Sequence, residues 1–191
     1  MVIGTDALDA ITRRTSTRDY KPTPIPRATV EKLLEAARLS PSANNVQPWH
    51  FIVVTDAEKR KALSKGIYAK FLKNTPAVIA LCGDQQASPK WYVVDVALAG
   101  ENMVIAATAE GLGTCWIGSF EEKDVKELLA VPENFRVVAL LAVGYAKERE
   151  GVTTKIMHLV RRRKALNEIC SWERFGNKAN GKARAPDSAA S

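Results

Sequence analysis

Residues 91–110 constrain the fold more than any other stretch of this chain. They are rich in alanine and apolar on most sides, and Gly111 follows as a stop. A helix that is apolar nearly all round belongs in the middle of something, and glycine suits the residue just past a helix end. One small sheet does not offer such a helix enough apolar surface. The simplest arrangement is a mixed α+β domain that pairs with a second copy of itself. The small residues Ala97, Ala99, Gly100, Ala106 and Ala107 would then allow close backbone approach at the centre of the pairing.

The rest of the chain interleaves shorter helices and strands without a strict βαβ rhythm or an internal repeat. Leu8 and Ile11, with Thr5 or Asp6 as cap, predict a helix over 5–14. Residues 15–26 hold three prolines and read as extended or looped. Residues 28–39 predict an amphipathic helix with Val30, Leu33, Leu34 and Ala37 as its stripe, and Leu39 falls off that stripe. The run Ser-Pro-Ser-Ala-Asn-Asn over 40–45 is a loop by composition. Strands are expected over 51–54, 77–82, 114–117 and 136–145. Charged helices are expected from a Thr55 or Asp56 cap to Leu63, and over 121–129.

Composition narrows the class. With 46% hydrophobic and 26% charged residues the chain has enough apolar side chains for a core, which excludes disorder. Its 191 residues suggest one domain over 1–175 with a polar tail over 176–191. No apolar run approaches the ~18 residues of a membrane span, and the longest, 137–143, is strand-sized. The N-terminus lacks a basic patch followed by an apolar stretch, so no signal peptide is expected and the cytoplasm is the expected compartment. The net charge of +7 points to an anionic partner. Cys82, Cys115 and Cys170 are scattered and odd in number, and only His50 and His158 could join them. Neither a disulfide framework nor a metal site is expected.

Four stretches carry chemistry. In Arg14-Thr15-Ser16-Thr17-Arg18, alternate side chains of an extended segment share a face. Two guanidinium groups and a hydroxyl there would hold a phosphate or an anionic ring edge, although a solvated basic loop reads the same way. In the second, Pro41-Ser42-Ala43-Asn44-Asn45-Val46-Gln47-Pro48-Trp49, the amides of Asn45 and Gln47 both donate and accept. On one side of an extended chain they would suit a heterocycle whose edge alternates C=O and N–H, such as a flavin ring. The plainer reading is an Asn-rich turn entering a strand.

The third stretch, Gly111-Leu112-Gly113-Thr114-Cys115-Trp116-Ile117-Gly118, runs from helix into strand, the reverse of a dinucleotide-binding fingerprint. Its glycines fit a helix stop and close backbone approach to a ligand. Cys115, in an apolar strand, reads as packing rather than as a nucleophile. The fourth, Arg161-Arg162-Arg163-Lys164, is either a solvated or nucleic-acid-binding patch or a second set of arms for an anion.

Taken in order, the four stretches resemble the nitroreductase family of FMN-dependent oxidoreductases, from about Asp6 to Gly176. Arg14, Ser16, Arg18 and Tyr20 match its opening motif. Pro41, Ser42, Asn45, Gln47, Pro48 and Trp49 match its second. The run from Gly111 to Gly118 matches its third, and Arg161 with Arg163 its late basic pair. The resemblance implies a three-layer α-β-α domain with a mixed, mostly antiparallel sheet, and a homodimer with FMN at the subunit interface. It assigns Arg14, Ser16, Arg161 and Arg163 to the phosphate, with Thr15 beside them, and Arg18 to the N1–C2=O edge of the ring. Pro41, Ser42, Asn45 and Gln47 would come from the neighbouring subunit or frame the ring. The strand Thr114, Cys115, Trp116, Ile117 and Gly118 would approach its N5 side. The polar tail departs from family members whose C-terminus embraces the partner.

The activity implied is hydride transfer from NADH or NADPH through flavin to a small organic acceptor such as a nitroaromatic or a quinone, by a ping-pong course. The flavin carries the chemistry, no side chain is catalytic, and neither nucleic acid nor membrane is a partner. Two alternatives stand beside it. One is different flavin chemistry on the same fold, dehalogenation or flavin breakdown, which the short polar connection 83–90 disfavours. The other is a basic nucleic-acid-binding module using residues 161–164 and the tail.

Overall fold

The computed structural model describes residues 6–66, 68–147 and 163–177. The chain divides into two compact units, Met1–Lys147 and Glu148–Ser191. The first unit is built on four strands, β1 (Trp49–Val54), β2 (Ala77–Asp84), β3 (Gly113–Ile117) and β4 (Phe135–Gly144). They lie in the order β1-β2-β4-β3, and every neighbouring pair is antiparallel. The only parallel pairing among the described residues is a single bridge from Ser16 to Thr114, so the "mixed" character expected of the sheet reduces to that contact.

Strand alternation creates three layers. From β2, Val78, Ala80 and Cys82 point to one face, where they pack with Leu63 and Val125; Ile79 and Leu81 point to the other, against Leu33, Val96 and Met103. Helices α3 (Ala57–Leu63) and α5 (Glu122–Leu129) cover the first face, and α2 (Arg27–Arg38) and α4 (Tyr92–Ala109) the second. Covered on both sides, the central strands β2 and β4 are apolar and buried along nearly their whole length. Asp56 caps α3 by accepting from the Lys59 amide, and Asp6, not Thr5, caps α1 (Ala7–Arg13) by accepting from the Leu8 amide.

Helix α4 is more amphipathic in its surroundings than in its sequence. Val96, Ala99, Gly100, Met103, Val104 and Ala107 are buried in its own unit. Ala99, Gly100 and Ala107 therefore bring α4 close to its own sheet rather than to a second molecule, and Ala106 is half-buried on the same core. A Cβ on Gly100 would overlap the ring of Trp116 and the Leu81 side chain. Of the five small residues singled out above, only Ala97 faces outward. Its exposed neighbours are Val93, Val94 and Leu98, each 44–47% exposed, and they form an apolar patch on the first half of the helix. By length and average hydropathy α4 does reach the size of a membrane span, contrary to the sequence expectation, but its buried face shows the apolarity of a core helix.

The end of α4 positions β3. Gly111, at φ 76°, donates its N–H to the Thr108 carbonyl, and Leu112 donates to the Ala107 carbonyl, a paired stop that turns the chain directly into β3. In the second unit the described residues form one helical turn, Leu166–Ile169, closed by the Ala165 N–H donating to Glu168 Oε2 at 2.6 Å.

Candidate functional site

The Arg14–Arg18 segment leaves α1 and lies along the start of β3. Ser16 bridges Thr114 in parallel, and the Thr17 N–H donates to the Thr114 carbonyl at 2.8 Å. The contact requires a glycine at 113: a Cβ there would lie 2.7 Å from Cβ of Thr17, with its Oγ1 closer still. Tyr20 closes the segment from below. Its ring is buried and its hydroxyl donates to the Thr17 carbonyl at 2.6 Å, and burial pushes its phenol far above the usual range. Arg14 is half-buried, while Ser16 and Arg18 are exposed and free to meet a ligand.

Cys115 packs on the α3–α5 face among buried apolar residues. Burial raises its thiol pKa, and the positive charges of Arg18 and Arg14 partly oppose that rise, so both guanidinium groups bear on the same strand. Trp116 points to the opposite face and donates from Nε1 to Glu101 Oε2 at 3.3 Å. Thr114 and Ile117 are buried, and Gly118 is exposed with open space around it. Beyond Gly118 the chain borders a cavity of about 730 Å³ whose walls include Leu63, Gly66, Tyr68, Ser119 and Phe120. The sequence reading missed these wall residues, which come from the end of α3 and the loops after α3 and β3 and share no motif.

The Asn-rich stretch is folded differently from its expectation. Ala43–Asn45 form a 3-10 turn, and Asn44, Asn45 and Gln47 all have φ between 51° and 54°. Asn45 and Gln47 therefore do not alternate along an extended chain. Asparagine tolerates this left-handed backbone better than most residues. Local bonds hold the shape: the Gln47 N–H donates to Ser42 Oγ at 2.9 Å, and Gln47 Nε2 to the Asn45 carbonyl at 3.4 Å. Asn45 and Gln47 are exposed, Pro41 likewise, and Trp49 packs half-buried on the α2–α4 core.

The residues expected at the site thus fall into two groups within the first unit, and they are not adjacent. The Asn-rich loop enters β1 at one edge of the sheet, and Arg14–Arg18 lines β3 at the other edge. Three strand spacings, about 14 Å, lie between the edges. The ends differ as well: Trp49 pairs across the sheet with Gly83 at the end where β4 begins, whereas Thr114 pairs with Val143 near the end of β4. Arg161 falls outside the described residues, and Arg163 is exposed in the second unit. Among the described residues no group of His, Cys, Asp and Glu has the spacing of a metal site.

The nitroreductase family model matches residues 11–78 and 64–145, a span that includes the β3 edge, the Asn-rich loop and the whole sheet. The chain belongs to the nitroreductase family. A relative from Archaeoglobus fulgidus, provisionally named NADH dehydrogenase/NAD(P)H nitroreductase, is 38% identical over 153 residues, which cover 76% of this chain and 88% of that protein. The 5,6-dimethylbenzimidazole synthase of Rhodospirillum rubrum is 29% identical over 180 residues, covering 77% and 85%. Among solved structures, the FMN-dependent nitroreductase of Clostridium difficile R20291 superposes with a TM-score of 0.69 at 29% identity, covering 82% of this chain and 98% of that one. As a member of this family the chain is an oxidoreductase of the nitroreductase type. Its α+β fold follows the family's.

Proposed function

We propose that the protein is an FMN-dependent oxidoreductase that takes hydride from NADH or NADPH and passes it to a small organic acceptor, a nitroaromatic, a quinone or a similar compound, with the cytoplasm as its compartment. The observation that carries this reading is the strip Arg14, Ser16 and Arg18, docked on a glycine-opened β3 edge. The Arg14 guanidinium and the Ser16 hydroxyl are donors suited to a phosphomonoester, the Arg18 guanidinium is left for an anionic ring edge, and the exposed Gly118 leaves room for a flat ring beside the strand. FMN, when bound, supplies hydride acceptance and donation, so no side-chain acid–base pair is required. The named FMN dependence of the Clostridium difficile structure and the NAD(P)H naming of the Archaeoglobus relative support the same cofactors.

In this reading Arg14, Thr15 and Ser16 hold the phosphate. Arg18 offers positive charge to the ring's carbonyl edge, and backbone groups of Thr114, Cys115, Trp116 and Ile117 border the ring. Cys115 takes no part as a nucleophile, because its thiol is buried and its pKa raised. The cavity beside Gly118 receives donor and acceptor in turn, which makes the kinetics ping-pong.

The site is shared between two copies of the chain. Pro41, Ser42, Asn45 and Gln47 stand at the far edge of the sheet from Arg14, so they reach a ligand held there when they come from a second molecule. The apolar patch of Val93, Val94, Ala97 and Leu98 on α4 supplies a surface for that pairing. The 5,6-dimethylbenzimidazole synthase relative raises a second flavin chemistry, but the link 85–91 between β2 and α4 is short. It is tied by Asp84, which accepts from the amides of Gln86 and Ala87, and it offers no lid. Anaerobic mixing of the purified protein with NADH or NADPH tests the proposal. Bleaching of a bound flavin followed by recolouring with a nitroaromatic or quinone supports it, and a colourless protein that gains no flavin refutes it.

A further inference from the structure

Asp95 is a carboxylate buried to 97% on the inward side of α4, and its surroundings do not explain it as a stabilising residue. Oδ1 accepts from the Ala43 N–H at 3.1 Å, but Oδ2 has no hydrogen-bond partner among the described residues. An unmatched buried carboxylate oxygen costs free energy comparable to what one hydrogen bond contributes. An alanine or leucine at 95 would serve the core at least as well. What Asp95 does have is a place: it touches the first residue of the left-handed turn that carries Asn44, Asn45 and Gln47.

A second polar residue stands on the same face of α4. Asn102, two helical turns on, donates from Nδ2 to Ser40 Oγ at 2.7 Å and to the Ala36 carbonyl at 3.4 Å. The two side chains fasten the segment from the end of α2 to the turn at two points. Three left-handed non-glycine positions within four residues, Asn44, Asn45 and Gln47, are costly for a free loop, and both contacts act on its N-terminal side. The loop's own bonds, from Gln47 to Ser42 and Asn45, hold its curvature but do not fix it to the sheet.

We infer that Asp95 is a positioning residue: its carboxylate, assisted by Asn102, presets the Ser42–Gln47 loop so that Asn45 and Gln47 present their amides to the ring of a flavin bound by the neighbouring molecule. The inference rests on the flavin reading above. Because the loop serves the ring and not the phosphate, loss of its anchor weakens FMN and riboflavin by the same factor. Loss of Arg14 weakens FMN alone.

The test compares Asp95→Ala and Asp95→Asn with the wild-type protein in three measurements: affinity for FMN and for riboflavin, thermal unfolding, and amide hydrogen exchange of residues 41–47 in the flavin-free protein. Asp95→Ala is expected to loosen both flavins about tenfold or more, an effect of the size expected when a charge-assisted bond is lost. It should leave Tm within about 3 °C, because the lost bond is offset by removal of the unmatched oxygen, and should speed exchange in the loop. Asp95→Asn keeps an acceptor for the Ala43 N–H, so it should restore the affinities and slow exchange. The inference is overturned if Asp95→Ala binds both flavins as the wild type does, if Asp95→Asn is as weak as Asp95→Ala, or if the affinity loss merely follows a collapse in Tm. Exchange in the flavin-free protein reads the anchor without any ligand. A wild-type protein that binds no flavin but shows the exchange difference would therefore defeat the flavin reading and this inference's ring-facing role, while confirming the latch itself.

Discussion

Replacing Gly113 with alanine sets one methyl group against the contact that docks the Arg14–Arg18 segment on the sheet. The added Cβ would fall 2.7 Å from Cβ and 2.9 Å from Cγ2 of Thr17, with Oγ1 closer still. Turning the Thr17 side chain about χ1 moves Oγ1 and Cγ2 but leaves Cβ in place, so the backbone of one strand or the other has to give. Overpacking of this kind costs about 1–3 kcal/mol. The bond most exposed to the shift is Thr17 N–H to the Thr114 carbonyl, now 2.8 Å, and its loss adds about 1 kcal/mol. The cheaper outcome is for the Arg14–Arg18 segment to lift off β3, which takes Arg14 and Ser16 away from the place proposed for the phosphate. FMN affinity is then expected to fall about 10- to 100-fold, some 1.4–2.8 kcal/mol. Isothermal titration of the flavin-free protein measures it. Thr17→Gly in the Gly113→Ala background removes every atom in the clash and should recover most of the affinity, a coupling that a double-mutant cycle isolates. Gly113→Ala binding FMN as tightly as the wild type would refute the reasoning. So would a double variant no better than the single one, since the Thr17 contact would then not be the cause.

The remaining expectations concern assembly, the thiol and acid stability. Leu98→Arg puts a charge into the exposed patch of α4; with three side chains each nearly half exposed, their mutual burial contributes about 1 kcal/mol apiece per molecule. Sedimentation should show a monomer that has lost its flavin, and a stable flavin-loaded monomer would remove the shared-site model. Cys115→Ala should retain flavin and keep reduction by a nicotinamide donor within about tenfold in stopped-flow bleaching; a thousandfold loss with flavin still bound would mean the thiol takes part in the chemistry. Glu122 accepts from Arg136 Nε at 2.7 Å and from the Val137 N–H at 2.9 Å, and the Arg136 bond holds its carboxyl below the usual range. A depressed folded pKa contributes stability above the unfolded pKa that is lost as pH falls through the folded one. The partly exposed pair is worth about 1 kcal/mol, so Glu122→Gln should be less stable near neutrality and approach the wild type in acid; an unchanged difference at all pH values would exclude this linkage.

The elements with strong periodicity were legible because nothing competes with their pattern. The strand over 77–82, the helix over 121–129 and the stop at Gly111 appear where expected, each within two residues. Alternation also placed Arg14, Ser16 and Arg18 along one extended segment, and the Ser16–Thr114 bridge confirms the extended backbone. The Asn-rich loop defeated the same rule, since composition marks a turn but does not say that three of its residues take positive φ. Ala99, Gly100 and Ala107 pack on the chain's own core, and only Ala97 is left for a second molecule, because sequence shows that a helix needs close approach without showing to what; Trp116 and Leu81 occupy the space at Gly100. Asp95 and Asn102 did leave a signal, two polar residues seven apart in an apolar helix. It would have shown which face of α4 carries the loop.

The most direct measurement is the affinity of the wild-type protein and of Arg14→Ala for FMN and for riboflavin, read by flavin fluorescence at fixed ionic strength. If the β3 edge is a phosphate site, FMN binds much more tightly than riboflavin. Arg14→Ala then weakens FMN by about 1.5–3 kcal/mol, the worth of a hydrogen bond to a charged group, and leaves riboflavin unchanged. Riboflavin bound as tightly as FMN by the wild-type protein, or FMN unaffected by Arg14→Ala, would contradict the assignment of that edge to the phosphate.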